Sequence, residues 1–370
     1  MTKSNAVLFQ PYNIGKLIIP NRMVVAPMTR VSAQVDGTVE PLMHNYYENY
    51  AKGGFGLIVT EGLYTDKLFS QCYFKQPGIA TRSQAASWKP IIAAVHAKNS
   101  LLIAQLMHGG ALSQYNRFAE HTVGPSAIRP IGEQMPSYYG EGAYKVPQAM
   151  SEKDITDAVN GFAASALRAQ EAGFDGVEIH GANGYLLDQF LTDYSNQRKD
   201  SYGGLLVNRL RIFEKIIKAV REAVSADFVV GIRFSQKKVN DTKYLWPEEE
   251  TGAEYIFSKM QEYQVDYIHT TEPILNESAF NNSPSLASLA KKYSKLPVIA
   301  NGGVSEPQLA VKVLNAQEAD FVSLGKIALS NQDWPNLVNN HQLIKNFNFS
   351  LLSPIADLES AERFNSRQAS

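Results

Sequence analysis

Eight short runs rich in branched and apolar residues recur along the chain, at Met23–Met28, Gly56–Glu61, Leu101–Leu106, Gly176–His180, Val229–Phe234, Tyr267–Thr271, Val298–Asn301 and Phe321–Gly325. Most are apolar on both faces, the mark of parallel strands covered by helices rather than of a half-solvated sheet. Between them lie segments with helical spacing, at Glu40–Lys52, Arg82–Asn99, Ser151–Ala172, Leu205–Val224, Pro247–Tyr263, Ser283–Tyr293 and Ser305–Asn315, with an eighth from Asn331 onward. In Ser151-Glu-Lys-Asp154 a serine cap has an acid three positions on, and Gly173 follows the segment's end, so both boundaries carry signals. Eight β–α units predict a single (β/α)8 TIM barrel of α/β class. It would occupy residues 1–370 as one domain, with its core at about 9–345 and a polar C-terminal tail whose end, Phe364–Ser370, is expected to fray. The alternative is an open doubly wound sheet, but Ala26-Pro-Met-Thr-Arg30 stands where its glycine-rich fingerprint would follow the first strand.

Two connections are longer than such units need. His108–Met150 is rich in Pro, Gly and Tyr, and Ser235–Trp246 is a smaller excursion. Both follow strands and would rise on the C-terminal face, where barrel enzymes carry their reaction sites.

Composition narrows the partner. With 44% hydrophobic residues, 19% charged and a formal net charge of -1, the chain can bury a large core and has no basic field for nucleic acid. A small-molecule ligand is expected. Cys72 is the single cysteine, which excludes an intrachain disulfide framework, a cysteine-ligated iron–sulfur cluster and a multi-cysteine zinc site. No metal site is expected. Neither a signal-peptide core at the start nor an apolar run of bilayer length is present, so a cytoplasmic protein without membrane partners is expected, free to form a homo-oligomer.

The chemistry concentrates in Gly176-Val-Glu-Ile-His-Gly-Ala-Asn-Gly-Tyr185, where an apolar run ends in three polar side chains. His180 and Asn183 can both donate hydrogen bonds and so stabilise a carbonyl oxygen gaining negative charge. Tyr185, with a reference pKa of about 10, stays protonated at neutral pH and can act as a general acid. His180 alone could equally be a hydrogen-bonded core residue. Asn301-Gly-Gly303 and Gly325-Lys326 follow the last two strands, where loops of this fold commonly bind phosphate, although Gly-Gly taken alone is more often a tight turn. Arg233 ends a strand and needs a partner, either an electron-rich ligand or Glu178 on the neighbouring strand. Gln105 could read a heterocycle's edge or be a satisfied core amide. Thr29, two residues after Pro27, could cap the next segment. Together these residues describe a phosphate held after strands seven and eight and a ring across the barrel mouth, a shape that fits flavin mononucleotide (FMN).

At these residues the chain resembles the Old Yellow Enzyme family of FMN-dependent NAD(P)H:flavin oxidoreductases, or ene-reductases, from about Phe9 to about Trp334. The resemblance is carried by Ile19-Pro-Asn-Arg-Met-Val-Val-Ala-Pro-Met-Thr-Arg30, by Gln105 with His108, by Gly176 to Phe190, by Asn196-Gln-Arg-Lys-Asp-Ser-Tyr-Gly-Gly204 with Asn208 and Arg209, and by Gly231-Ile-Arg233. It implies that Pro27, Met28 and Thr29 contact the isoalloxazine, that Gly62 and Gln105 meet its pyrimidine side, and that Arg233 stabilises the reduced anion. Asn301, Gly302, Gly303, Gly325 and Lys326 would bind the phosphate. His180 and Asn183 would hold the carbonyl or nitro oxygen of an α,β-unsaturated carbonyl or nitro compound while Tyr185 protonates the α-carbon. NADPH or NADH would reduce the flavin first, and the acceptor would follow in the same site, a ping-pong cycle. Lys326 replaces the family's usual arginine, keeping the charge but losing the planar two-pronged grip. Other readings of the fold are an FMN-dependent dehydrogenase, a flavin-free phosphate-binding barrel enzyme such as an isomerase or aldolase, and an FMN-binding protein that senses or stores.

Overall fold

The computed structural model describes residues 5–369. Its eight barrel strands are β1 (Met23–Val25), β2 (Leu57–Val59), β3 (Leu101–Met107), β4 (Gly176–His180), β5 (Val229–Phe234), β6 (Tyr267–Thr271), β7 (Val298–Asn301) and β8 (Phe321–Leu324). Each pairs in parallel with the next in chain order, and β8 returns to β1 with Val322 opposite Met23, so the expected barrel closes. β1 ends at Val25, three residues short of expectation, because Pro27 has no N–H to give a ladder.

Local chemistry explains the helix boundaries. Ser151 Oγ accepts from the Asp154 N–H and the Ser151 N–H donates back to the Asp154 carboxylate, and the helix Glu152–Ala172 stops at Gly173 with φ +103°, a left-handed cap that favours glycine. The expected helix Arg82–Asn99 is two helices, Arg82–Ser87 and Lys89–His96. Pro90 lies in the first turn of the second, where its missing N–H is harmless; within one continuous helix it would break the hydrogen-bond ladder.

An N-terminal hairpin, not anticipated from sequence, pairs Tyr12–Ile14 with Leu17–Ile19 around Gly15. It adds Ile14 and Ile19 to a core of Val24, Leu57, Ile103, Val229, Ile299 and Phe321. Each such side chain stabilises the fold by about 1.5–3 kcal/mol on burial. The barrel is therefore apolar at this level, and its polar chemistry is confined to the opposite, C-terminal end of the strands.

The tail expected to fray is helical as far as Ala369, and Ser370 lies outside the described residues. Phe349–Leu352 forms a 3-10 turn and Leu358–Ala369 an α-helix. Leu351, Ala356, Leu358 and Ser360 are buried, and the Arg30 guanidinium donates to the Asp357 carbonyl at 2.8 Å. A polar composition concealed one apolar face, which suffices to dock a helix. Among the described residues, no helix is long and apolar enough to cross a membrane.

Candidate active site

The C-terminal ends of the strands open into a cavity of about 430 Å³, a size typical of small-molecule and cofactor sites. Its floor is a buried polar layer. The Glu178 carboxylate, fully buried on β4, accepts from Gln105 Nε2 at 2.8 Å, from the Tyr267 hydroxyl at 3.0 Å and from His269 Nδ1 at 2.8 Å. His269 Nε2 lies 2.7 Å from Ser323 Oγ on β8. A ring bonded in this way donates from Nδ1 and accepts at Nε2. Burial alone would raise the Glu178 pKa, but His269, the Arg233 charge and Gln105 reverse this and hold it at about 2.

Arg233 stands directly opposite His180 across β4 and β5, as its Cα partner. No direct Glu178–Arg233 ion pair forms, so that alternative for Arg233 falls away as a contact; the carboxylate acts on it only at longer range. Burial lowers the guanidinium to about 10, which leaves it charged at neutral pH. Among the described residues its one side-chain bond runs from Nη2 to Asn301 Oδ1 at 3.2 Å, and Nε is buried without a partner. A buried cation with most of its donors unused calls for an electron-rich ligand.

The β4 end carries the three polar side chains singled out in the sequence, and all three line the cavity. His180 is neutral, because burial and the Arg233 charge push its pKa down to about 3, and its Nδ1 has no partner. Asn183 occupies the left-handed region at φ +62°, followed by Gly184 at φ +89°, so the chain reverses tightly between strand and helix. Tyr185 lies with its ring 5.1 Å from that of His180. Burial raises its phenol well above the usual value, keeping the proton in place.

The cavity is also lined by Pro27, Met28 and Thr29 after β1, Gly62 after β2 and Gln105 on β3. No helix starts at Thr29, since the next begins at Pro41. Gly62 is a glycine because a Cβ there would meet Met107 Sδ at 2.3 Å. With Nε2 given to Glu178, Gln105 keeps Oε1 free of any partner among the described residues.

Asn301, Gly302, Gly303, Gly325 and Lys326 form the third wall. Gly302 has φ +148°, and a Cβ on it would lie 2.3 Å from the Glu272 carbonyl. Gly325 differs, since a Cβ there would meet nothing nearer than 3.8 Å. It opens the helix Lys326–Ser330, whose first N–H groups lack helical partners. The exposed Lys326 ammonium leans over the Phe349 ring, 5.0 Å from its centroid.

Several lining residues had no sequence signal: Met135 and Tyr138 from the 108–150 excursion, Val239 from the 235–246 loop, Glu272 and Pro273 after β6, and Leu352 from the tail. Loop length marked the first two segments as covers without saying which side chains reach inward. Cys72 is buried, its thiol pushed up to about 12 by burial, and it remains an ordinary thiol.

The residues fit FMN on three observations: the under-used Arg233 cation, the unpartnered Gln105 oxygen, and the uncrowded backbone cradle at Gly325 beside the helix start.

Similarity to known proteins agrees. The sequence profile of the NADH:flavin oxidoreductase / NADH oxidase family matches residues 7–345. The putative 12-oxophytodienoate reductase 11 of Oryza sativa subsp. japonica is 33% identical over 342 residues, 90% of each chain. The probable flavin mononucleotide-dependent alkene reductase of Leishmania infantum is 32% identical over 339 residues, again 90% of each. Among solved structures, the old yellow enzyme homologue from Zymomonas mobilis superposes with a TM-score of 0.85 at 27% identity, over 95% of this chain and 99% of that one.

Proposed function

This chain belongs to the NADH:flavin oxidoreductase / NADH oxidase family, the Old Yellow Enzyme family, and from that premise we propose that it reduces the activated C=C bond of α,β-unsaturated carbonyl or nitro compounds. It is an FMN-dependent oxidoreductase that takes its electrons from NADH or NADPH. The observation that carries the acceptor class is the β4 end, where neutral His180, Asn183 and protonated Tyr185 line one wall beside the Arg233 cation.

When bound, FMN supplies hydride transfer, receiving from the nicotinamide and delivering to the acceptor's β-carbon. Pro27, Met28, Thr29, Gly62, Gln105 and Arg233 would hold its ring, and the backbone of Asn301–Gly303 and Gly325–Lys326 its phosphate. His180 and Asn183 donate to the carbonyl or nitro oxygen, stabilising the charge that develops there and orienting the double bond. A neutral imidazole suits this role, since it donates without becoming a competing acid. Tyr185 gives its proton to the α-carbon. Flavin-holding and acceptor-holding residues share one cavity, so nicotinamide and acceptor take turns, which is a ping-pong cycle.

The test is an anaerobic visible spectrum of the purified protein, recorded before and after NADPH or NADH and again after 2-cyclohexenone. Yellow colour, bleaching and recolouring are expected in that order. Bleaching without recolouring by the enone or by a nitroalkene would overturn the acceptor class.

A further inference from the structure

The 235–246 loop does more than wall the cavity. Lys238, only 4% exposed, donates from Nζ to both oxygens of the fully buried Asp188, at 2.8 and 2.9 Å. Its ammonium also lies 4.3 Å from the Tyr244 ring centroid. Neither charge faces solvent, and neither belongs to the polar layer under the cavity. Such a pair costs desolvation and is weak evidence for stability in itself, so its position matters more than its strength.

That position is the turn that presents Asn183. Asp188 Oδ2 accepts from the Gly184 N–H at 2.6 Å. From the other side, the Val239 N–H donates to the Asn183 carbonyl at 3.2 Å, and the Asn183 N–H donates to Ser235 Oγ at 2.8 Å. Lys238 and Asn183 form a β-bridge, joining the loop to the turn directly. The left-handed Asn183 is thus held between two segments, and the ion pair ties the loop to Asp188 on the helix Leu186–Leu191. A left-handed non-glycine residue persists where its surroundings over-determine it.

We infer that Lys238 is a positioning residue for acceptor binding, which through Asp188 fixes the Asn183 turn and so sets the affinity of the site for an acceptor oxygen. The inference rests on Asn183 holding that oxygen, as proposed above. In consequence, the loop's sequence tunes acceptor affinity without touching the acceptor through Lys238.

The test uses FMN-loaded protein and phenol as the probe, whose oxygen takes the place of the acceptor's, read by titration of the oxidised flavin spectrum. The double variant Lys238→Met/Asp188→Asn removes both charges while an amide oxygen at 188 can still accept from the Gly184 N–H. The expected result is a phenol Kd raised by about tenfold or more, the effect of roughly one well-placed interaction, with FMN affinity within about twofold of wild type. Asp188→Asn alone, which leaves the Lys238 ammonium buried without its counter-ion, should raise the phenol Kd at least as much. An unchanged phenol Kd in both variants would overturn the inference. So would loss of FMN in both, since it would assign the pair to the barrel as a whole. Asn183→Ala, run in parallel, separates the two levels: if it leaves phenol binding intact, the role of Asn183 itself fails.

Discussion

The hydroxyls of Tyr73 and Tyr185 lie 2.6 Å apart, in a pocket where both rings are buried. Cys72, Tyr138 and Tyr144 surround the pair, and His180 flanks Tyr185. The Tyr185 hydroxyl therefore has a buried phenol as its hydrogen-bond partner.

If Tyr185 protonates the acceptor, Tyr185→Phe should leave flavin reduction by the nicotinamide nearly intact. Enone turnover should fall by roughly 10²–10⁴-fold, the usual worth of a general acid. Stopped-flow measurement of the two half-reactions separates them, and equal losses in both would remove the assigned role.

Tyr73→Phe removes a single hydrogen bond to Tyr185, worth about 0.5–1.5 kcal/mol. The oxidative half-reaction should slow by about 2- to 10-fold, and its alkaline limb should move. An unchanged pH profile would mean that the contact is structural.

His180→Ala combined with Asn183→Ala should abolish the change that phenol produces in the flavin spectrum. A titration that still saturates at wild-type concentrations would refute the pairing of these two donors.

His180 makes stability depend on pH with a definite sign. Its folded pKa, about 3, lies below its ordinary 6.5, so its contribution is complete above about 6.5 and is lost as pH falls toward 3. Glu61 and Glu272, raised to about 7 by burial, act in the opposite direction over part of that window, so a paired comparison is needed. Between pH 7 and 5, wild type should lose about 2 kcal/mol relative to His180→Gln. Denaturant melts of the two proteins at both pH values measure the difference, and parallel losses would contradict a neutral buried His180.

The glycines of the third wall should separate folding from binding. Gly302→Ala places a Cβ 2.3 Å from the Glu272 carbonyl at φ +148°, and should destabilise the apoprotein by about 1–3 kcal/mol or more. Gly325→Ala, with nothing within 3.8 Å of the new Cβ, should melt within about 0.5 kcal/mol of wild type yet bind FMN more weakly. Fluorescence titration of FMN with each apoprotein decides; normal FMN affinity in Gly325→Ala would move the phosphate elsewhere.

Much of this was legible because it is local. Runs apolar on both faces announced buried parallel strands, and Ser151, Asp154 and Gly173 announced the ends of one helix. Polar residues at strand ends pointed to the cavity, and His180, Asn183, Tyr185, Arg233 and the terminal glycines do line it. Each inference needed only residue type and spacing within a few positions.

What the linear order could not disclose depends on contacts between distant segments. Glu178 stood as one alternative partner for Arg233, beside an electron-rich ligand, yet in the barrel it gathers Gln105, Tyr267 and His269, from 73 to 91 positions away. Lys238 and Asp188 are 50 positions apart, and Tyr73 and Tyr185 are 112 apart. The tail looked frayed until its apolar face met the helix Pro41–Lys52. Hydrophobic periodicity specifies which face of an element is buried; which polar groups meet is decided by closing the barrel, because only that sets the distances on which a hydrogen bond or an ion pair depends.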